Sequence, residues 1–255
     1  VTGCYRVKTA GAKGGDSFGR DQKHGGRGAL IAGNVILAAG TQLSIVVGQA
    51  GGKVHTDEYA SGGGGGGSFV YRTLDNGLLM AAGGGGGASY QYDSEAGNNA
   101  TGSVGTEDPN QMGIGGANGQ PRSNDQSTAA SERNPSLVAA EPVGLASPPP
   151  PAASISYRDR GGSRADGWVG GSGGKGSLAD GGFGGGGGGA AAIKGAAGAC
   201  GGYSGGGAGT PDWIYAGGGG GSSCGGSGCV ATTGGNTGSE HSFVLLRLLV
   251  DGSCK

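Results

Sequence analysis

The stretch SGGGGGGSFVYRTLDNGLLMAAGGGGGAS, residues 61–89, places two glycine runs on either side of a segment that carries side chains. The runs are either flexible linker or part of the packed fold. Phe69-Val-Tyr-Arg72 and Leu78-Leu-Met-Ala81 are strand-like, and Asp75-Asn76-Gly77 between them tolerates the positive φ that a tight hairpin needs. A hairpin is therefore expected, with a glycine run leaving each of its ends.

Glycine supplies 69 of the 255 residues, and further uninterrupted runs occur at Gly184 to Gly189 and Gly217 to Gly221. Collagen needs glycine at every third position, so uninterrupted runs exclude the triple helix. A lone run would stay disordered, because fixing six glycines costs on the order of 6–12 kcal/mol. Many runs together have another option. Without Cβ atoms, threefold polyproline-type helices can approach until backbones touch, and each N–H and C=O can pair with a neighbouring helix. That predicts pure glycine at the centre of such a bundle, with Ala, Ser and an occasional Phe or Tyr toward its edges, as in Gly181 to Ala192.

Strand candidates lie between the runs. Cys4-Tyr-Arg-Val-Lys-Thr9 alternates faces, Gly28 to Leu37 follows, and Leu43, Ile45 and Val47 would share one face of a third strand. Phe243-Val-Leu-Leu-Arg-Leu-Leu-Val250 is so continuously apolar that it is expected centrally, beside the first strand. Between Ser89 and Arg160 the composition turns to Ser, Asn, Asp, Gln and Pro, an irregular insertion dividing one glycine-rich domain that spans residues 1–255. Asn99-Ala-Thr101 is a glycosylation sequon, whereas Asn134-Pro-Ser136 is blocked by proline. Pro148, Pro149, Pro150 and Pro151 follow Ser147 in a stiff string similar to the extensin repeat, whose prolines are hydroxylated.

The five cysteines point to an oxidising compartment. Cys4 and Cys254 sit at the two ends, each beside a strand candidate, so a bridge between them would close almost the whole chain. Cys224 and Cys229 could close a small local ring, or Cys200 could take one of that pair. A net charge of −1 gives no electrostatic reason to expect nucleic acid or an anionic membrane as partner. No segment approaches ~18 consecutive apolar residues, so no membrane insertion is expected. The chain begins at Val1, as a processed product or an excised fragment would.

Catalytic, cofactor and metal sets are not expected. G-x-S-x-G occurs around Ser172, Ser204 and Ser223, but at this glycine content such matches arise by chance, and none follows a convincing strand. Gly170-Gly-Ser-Gly-Gly-Lys-Gly-Ser177 departs from a phosphate loop where Gly176 separates Lys175 from Ser177. His24, His55 and His241 are scattered and read as solvated surface; Asp16, Asp21, Asp57 and Glu58 fall in loops without a calcium pattern.

The ordered set Gly11-Ala-Lys-Gly-Gly15, Leu43-Ser-Ile-Val-Val-Gly-Gln49, Ser61 to Val70, Leu79-Met-Ala-Ala-Gly83 to Gly87 and Gly181 to Gly189 resembles the extracellular glycine-rich domain of anaplastic lymphoma kinase and leukocyte tyrosine kinase. The resemblance covers nearly the whole chain outside Ser89 to Arg160. It implies a β-sandwich of the tumour necrosis factor type, interrupted by a bundle of polyglycine II helices, with little or no α-helix. It carries fold and compartment, not binding residues. The expected function is a secreted, non-catalytic structural or adhesive module, extracellular or at the cell surface, partnered by protein, glycan or copies of itself in a filament or matrix. A ligand-binding receptor ectodomain is the alternative. Ice binding is a third, disfavoured by the charged insertion and the interrupted periodicity.

Overall fold

In a computed structural model Asn76 adopts a φ of 57°, Gly77 N–H donates to Asp75 Oδ1 at 3.0 Å, and Arg72 N–H donates to the Gly77 carbonyl at 2.9 Å. The expected hairpin forms between β6 (Ser68–Arg72) and β7 (Leu78–Ala82), which pair antiparallel. The structure describes residues 2–18, 21–54, 60–94, 161–173, 179–189, 197–203, 205–209, 216–250 and 254. Most of the insertion expected at 89–160, with Asn99 and Pro148 to Pro151, lies outside the described residues.

Among the described residues the fold is β-rich and without α-helix. The first sheet is built from β1 (Gly3–Ala10), β4 (Leu30–Leu37), β9 (Ser227–Thr232) and β10 (Phe243–Leu248), in the order β10-β1-β4-β9. The second contains β5 (Leu43–Val46), β6, β7 and β8 (Ser223–Cys224), in that order. A short ribbon of β2 (Ser17–Phe18) and β3 (Gln22–Lys23) stands apart. All named strand pairs are antiparallel.

The two four-stranded sheets make a sandwich. Val7, Ile31, Val35 and Leu37 of the first meet Val70 and Met80 of the second, with Tyr5, Leu43, Val244 and Leu246 packed around them. Strand alternation explains the selection, because these residues occupy the inward parity of each strand. The outer face of the second sheet is also covered: Phe69, Tyr71 and Ala81 lie under Trp168 and Tyr203. The outer face of the first sheet is open, with Ile36, Val230 and Leu245 exposed.

One expectation is overturned. β10 lies beside β1, as its apolarity suggests, but at the edge of the sheet rather than centrally. Val244 and Leu246 bury inward while Leu245 stays 56% exposed, so the continuous apolar run reflects an open outer face, not burial on both sides.

The chain crosses from one sheet to the other between β8 and β9, and the Cys224–Cys229 disulfide joins the two strands with a Cα separation of 6.3 Å. Gly33 of β4 makes room for it. A Cβ there would reach 3.0 Å from Met80 Cε and closer still to Cys224 Sγ, and the pairing of β4 with β9 shifts register at this point.

Candidate functional site

The glycine runs pass out of the sandwich as extended threads and pack on one another. Residues 62–67 form the most enclosed thread, and its hydrogen bonds reveal the geometry. Gly62 and Gly65 donate to Ala88 and Gly85, Gly63 and Gly66 to Gly52 and Gln49, and Gly64 and Gly67 to Gly187 and Gly184, all at 2.8–3.1 Å. Partners recur at every third residue, the signature of a threefold helix. The carbonyls follow the same rule: Gly62 and Gly65 accept from Gly198 and Gly201, Gly63 and Gly66 from Gly15 and Ala12, and Gly64 from Gly182.

Six neighbouring threads therefore surround residues 62–67: those through residues 12–15, 49–52, 85–88, 179–182, 184–187 and 198–201. The two runs flanking the β6–β7 hairpin are antiparallel neighbours, since Gly62 pairs with Ala88 and Gly65 with Gly85. Run 181–189 doubles back on itself at Gly184 and Gly185, whose φ values are 101° and 86°. Phe183 stands at that turn and is partly exposed.

Closeness explains why glycine is needed. A Cβ built at Gly64 would run into the Ala199 carbonyl, at Gly66 into that of Phe183, and at Gly85 into that of Gly26, each well inside the 3.0 Å that real Cβ atoms keep. The hydrogen in that position points at a carbonyl oxygen, a Cα–H···O contact that adds to the N–H bonds. Alanine is admitted elsewhere, and Ala12, Ala29, Ala88 and Ala199 are fully buried in the threads.

One end of the bundle is tied by charge. Asp16, 4% exposed, accepts from Lys13 Nζ and from Gly25 N–H at 2.9 Å, with Lys53 Nζ at 3.9 Å and His24 Nδ1 at 3.8 Å. Lys53 also binds Glu240 Oε1 at 2.6 Å; that hydrogen bond, against some burial, holds its ammonium above the usual lysine pKa. Three threads and the loop before β10 meet here. The sequence read Asp16 as a loop carboxylate, and its burial was invisible because the partners come from residues 13, 25 and 53.

The covered face of the second sheet carries an aromatic stack. Phe69 and Trp168 have ring centroids 4.4 Å apart, and the Arg164 guanidinium lies 4.6 Å from the Tyr71 ring centre. Trp168 holds a φ of 65°, a conformation rare for a side chain this large and paid in backbone strain. Burial pushes the Tyr71 hydroxyl up to about 12, opposed by Arg164. Among the described residues the hydroxyl has no hydrogen-bond partner.

Cys4 is joined to Cys254, with a Cα separation of 5.5 Å across 250 positions, and Cys200 belongs to neither disulfide. The buried Cys200 thiol donates to the Gly218 carbonyl between glycine threads, so the sequence alternative that paired it with Cys224 or Cys229 is closed. Ser172 lies in a glycine-rich segment outside the named strands and Ser223 in β8, and Ser204 lies outside the described residues. Among the described residues no three His, Cys, Asp or Glu side chains come together as a metal site, and no helix is long and apolar enough to cross a membrane. No family model matches the chain, and no curated protein matches it.

Proposed function

We propose that the chain is a secreted, non-catalytic glycine-rich module that does structural or adhesive work outside the cell and assembles with copies of itself into a filament or matrix. The observation that carries this is the glycine bundle, whose interior is backbone packed on backbone with six neighbours around one thread. Such a body resists bending, since its most enclosed thread is held from several sides. The two disulfides support an oxidising compartment. The resemblance to the glycine-rich ectodomains of anaplastic lymphoma kinase and leukocyte tyrosine kinase supports the same compartment and the same kind of fold.

Negative-stain imaging and sedimentation of the protein as isolated from its source test the proposal. Filaments or ordered oligomers are expected. Monomers alone at high concentration would remove self-assembly. The second reading, a receptor-type ectodomain for a protein or glycan ligand, is favoured by the open outer face of the first sheet; a membrane-spanning segment in the full-length gene product would support it.

A further inference from the structure

The open face of the first sheet is where the chain's balanced charge separates. Strands β1, β4, β9 and β10 contain Arg6, Lys8 and Arg247 and not one carboxylate, although the whole chain has a net charge of −1. Val7 and Leu246 point into the core, so alternation turns all three cations outward. Arg6 stands directly opposite Arg247 in the register of β1 with β10, and Lys8 opposite Leu245. Like charges facing each other across a strand pair destabilise a sheet. None of the ion pairs among the described residues includes these three groups. Among the described residues no carboxylate relieves this repulsion.

The groups are also prepared for a ligand. Arg6 donates to Asn34 Oδ1 and to the Gly228 carbonyl, both at 3.0 Å, which fixes its guanidinium before anything binds. Lys8 Nζ lies 5.8 Å from the centre of the Phe243 ring. Leu245 and Val230, exposed at 56% and 58%, flank the Lys8 row with apolar surface.

We propose that this face binds an acidic polysaccharide of the polyuronate type, a partner that rests on the extracellular adhesive role proposed above. The chemistry is charge complementarity refined by shape. A planar guanidinium pairs with a carboxylate through two parallel N–H···O bonds, and two such forks lie side by side here. The flanking Leu245, Val230 and Phe243 suit the C–H faces of sugar rings, and the face of a four-stranded sheet accommodates an extended chain. A nucleic acid would call for a row of aromatic stacking platforms, and this face has one aromatic residue. Three ionic contacts per copy give weak binding that many copies in an assembly would multiply.

The test is binding of the full chain to polygalacturonate at low salt, by calorimetry or biolayer interferometry, with dextran, dextran sulfate, single-stranded DNA and phosphatidylserine vesicles as comparators. Polygalacturonate is expected to bind in preference to all four, with a log–log salt slope of about 2 from ~0.7 per contact on a flexible polyanion. Arg247→Gln should weaken binding about tenfold or more, while its melting midpoint stays unchanged or rises as the Arg6 repulsion is relieved. Absence of binding, equal binding by Arg247→Gln, or preference for sulfate, DNA or vesicles would each overturn the proposal. Sedimentation of the same samples separates it from the assembly reading: a monomer that binds polygalacturonate loses only the latter, and a filament that ignores it loses only the former.

Discussion

In the sandwich, Met80 and Val70 are held by other side chains, and backbone hydrogen bonds run within each sheet. In the bundle, residues 62–67 are held by the backbones of six surrounding threads, and their N–H bonds leave in three directions as the chain twists. The sandwich excludes water by adding apolar volume; the bundle excludes it by removing the atoms beyond Cα wherever the threads touch most closely. The two regions must therefore respond oppositely to the same chemical change. A methyl group more or less is a packing adjustment in one and a collision with a carbonyl in the other.

The largest expected effect exploits this difference. Gly85→Val should abolish cooperative folding, because its Cβ would overlap the Gly26 carbonyl and part threads that share hydrogen bonds on several sides. Met80→Ala, a change of the same number of heavy atoms, should cost about 2–5 kcal/mol and leave a folded protein. Thermal melts of both variants check the ranking. If Gly85→Val melts like the parent, the glycine runs behave as linker.

The disulfides come next, and both belong to the sandwich side of the comparison. On chain-entropy grounds, opening Cys4–Cys254 by paired Ser substitutions should cost about 5 kcal/mol, against about 2 kcal/mol for the small Cys224–Cys229 ring. Urea midpoints of the two double variants give the order. Loss of bundle and sandwich signals in a single transition would show that one cross-link serves both regions; two transitions would separate them.

A smaller effect sits where the regions touch, under Trp168. The folded pKa of Tyr71 is raised above the unfolded value near 10, so the neutral phenol favours the fold. Its contribution is fully present below pH 10 and is lost as pH climbs from 10 toward 12, on the order of 2 kcal/mol. The raised Lys53 pKa acts in the same direction at the bundle end. Tyr71→Phe should remove the tyrosine part of this alkaline loss and, by deleting a buried hydroxyl without a partner, add about 1 kcal/mol at neutral pH. Stability measured from pH 8 to 11 in both proteins decides it.

The sandwich was legible where side chains alternate. Cys4 to Thr9, the β6–β7 hairpin and its Asn76 turn are visible in the sequence because period two and an Asn-Gly pair are local signals. β8 and β9 were not, since Ser223 to Thr232 is mostly Ser, Gly, Cys and Thr and pairs only through partners far away in the chain. The edge position of β10 was missed for a related reason: hydrophobicity reports apolar surface, not what covers it. For the bundle, glycine runs announced that backbones would touch, but not which ones. The return of run 181–189 at Gly184 is unmarked among identical neighbours, and so is the meeting of Lys13, Gly25 and Lys53 at Asp16. The open cationic face needed strand register, which set Arg6 opposite Arg247 from 241 positions away.

Amide hydrogen exchange at Gly62 to Gly67 tests the central claim, that these glycines are core, most directly. All six N–H groups are buried and bonded to neighbouring threads, so they should exchange only through global unfolding, as slowly as Val7 and Val70 in the sandwich. Exchange at the rate of an unstructured glycine peptide, with Val7 and Val70 still protected, would contradict it.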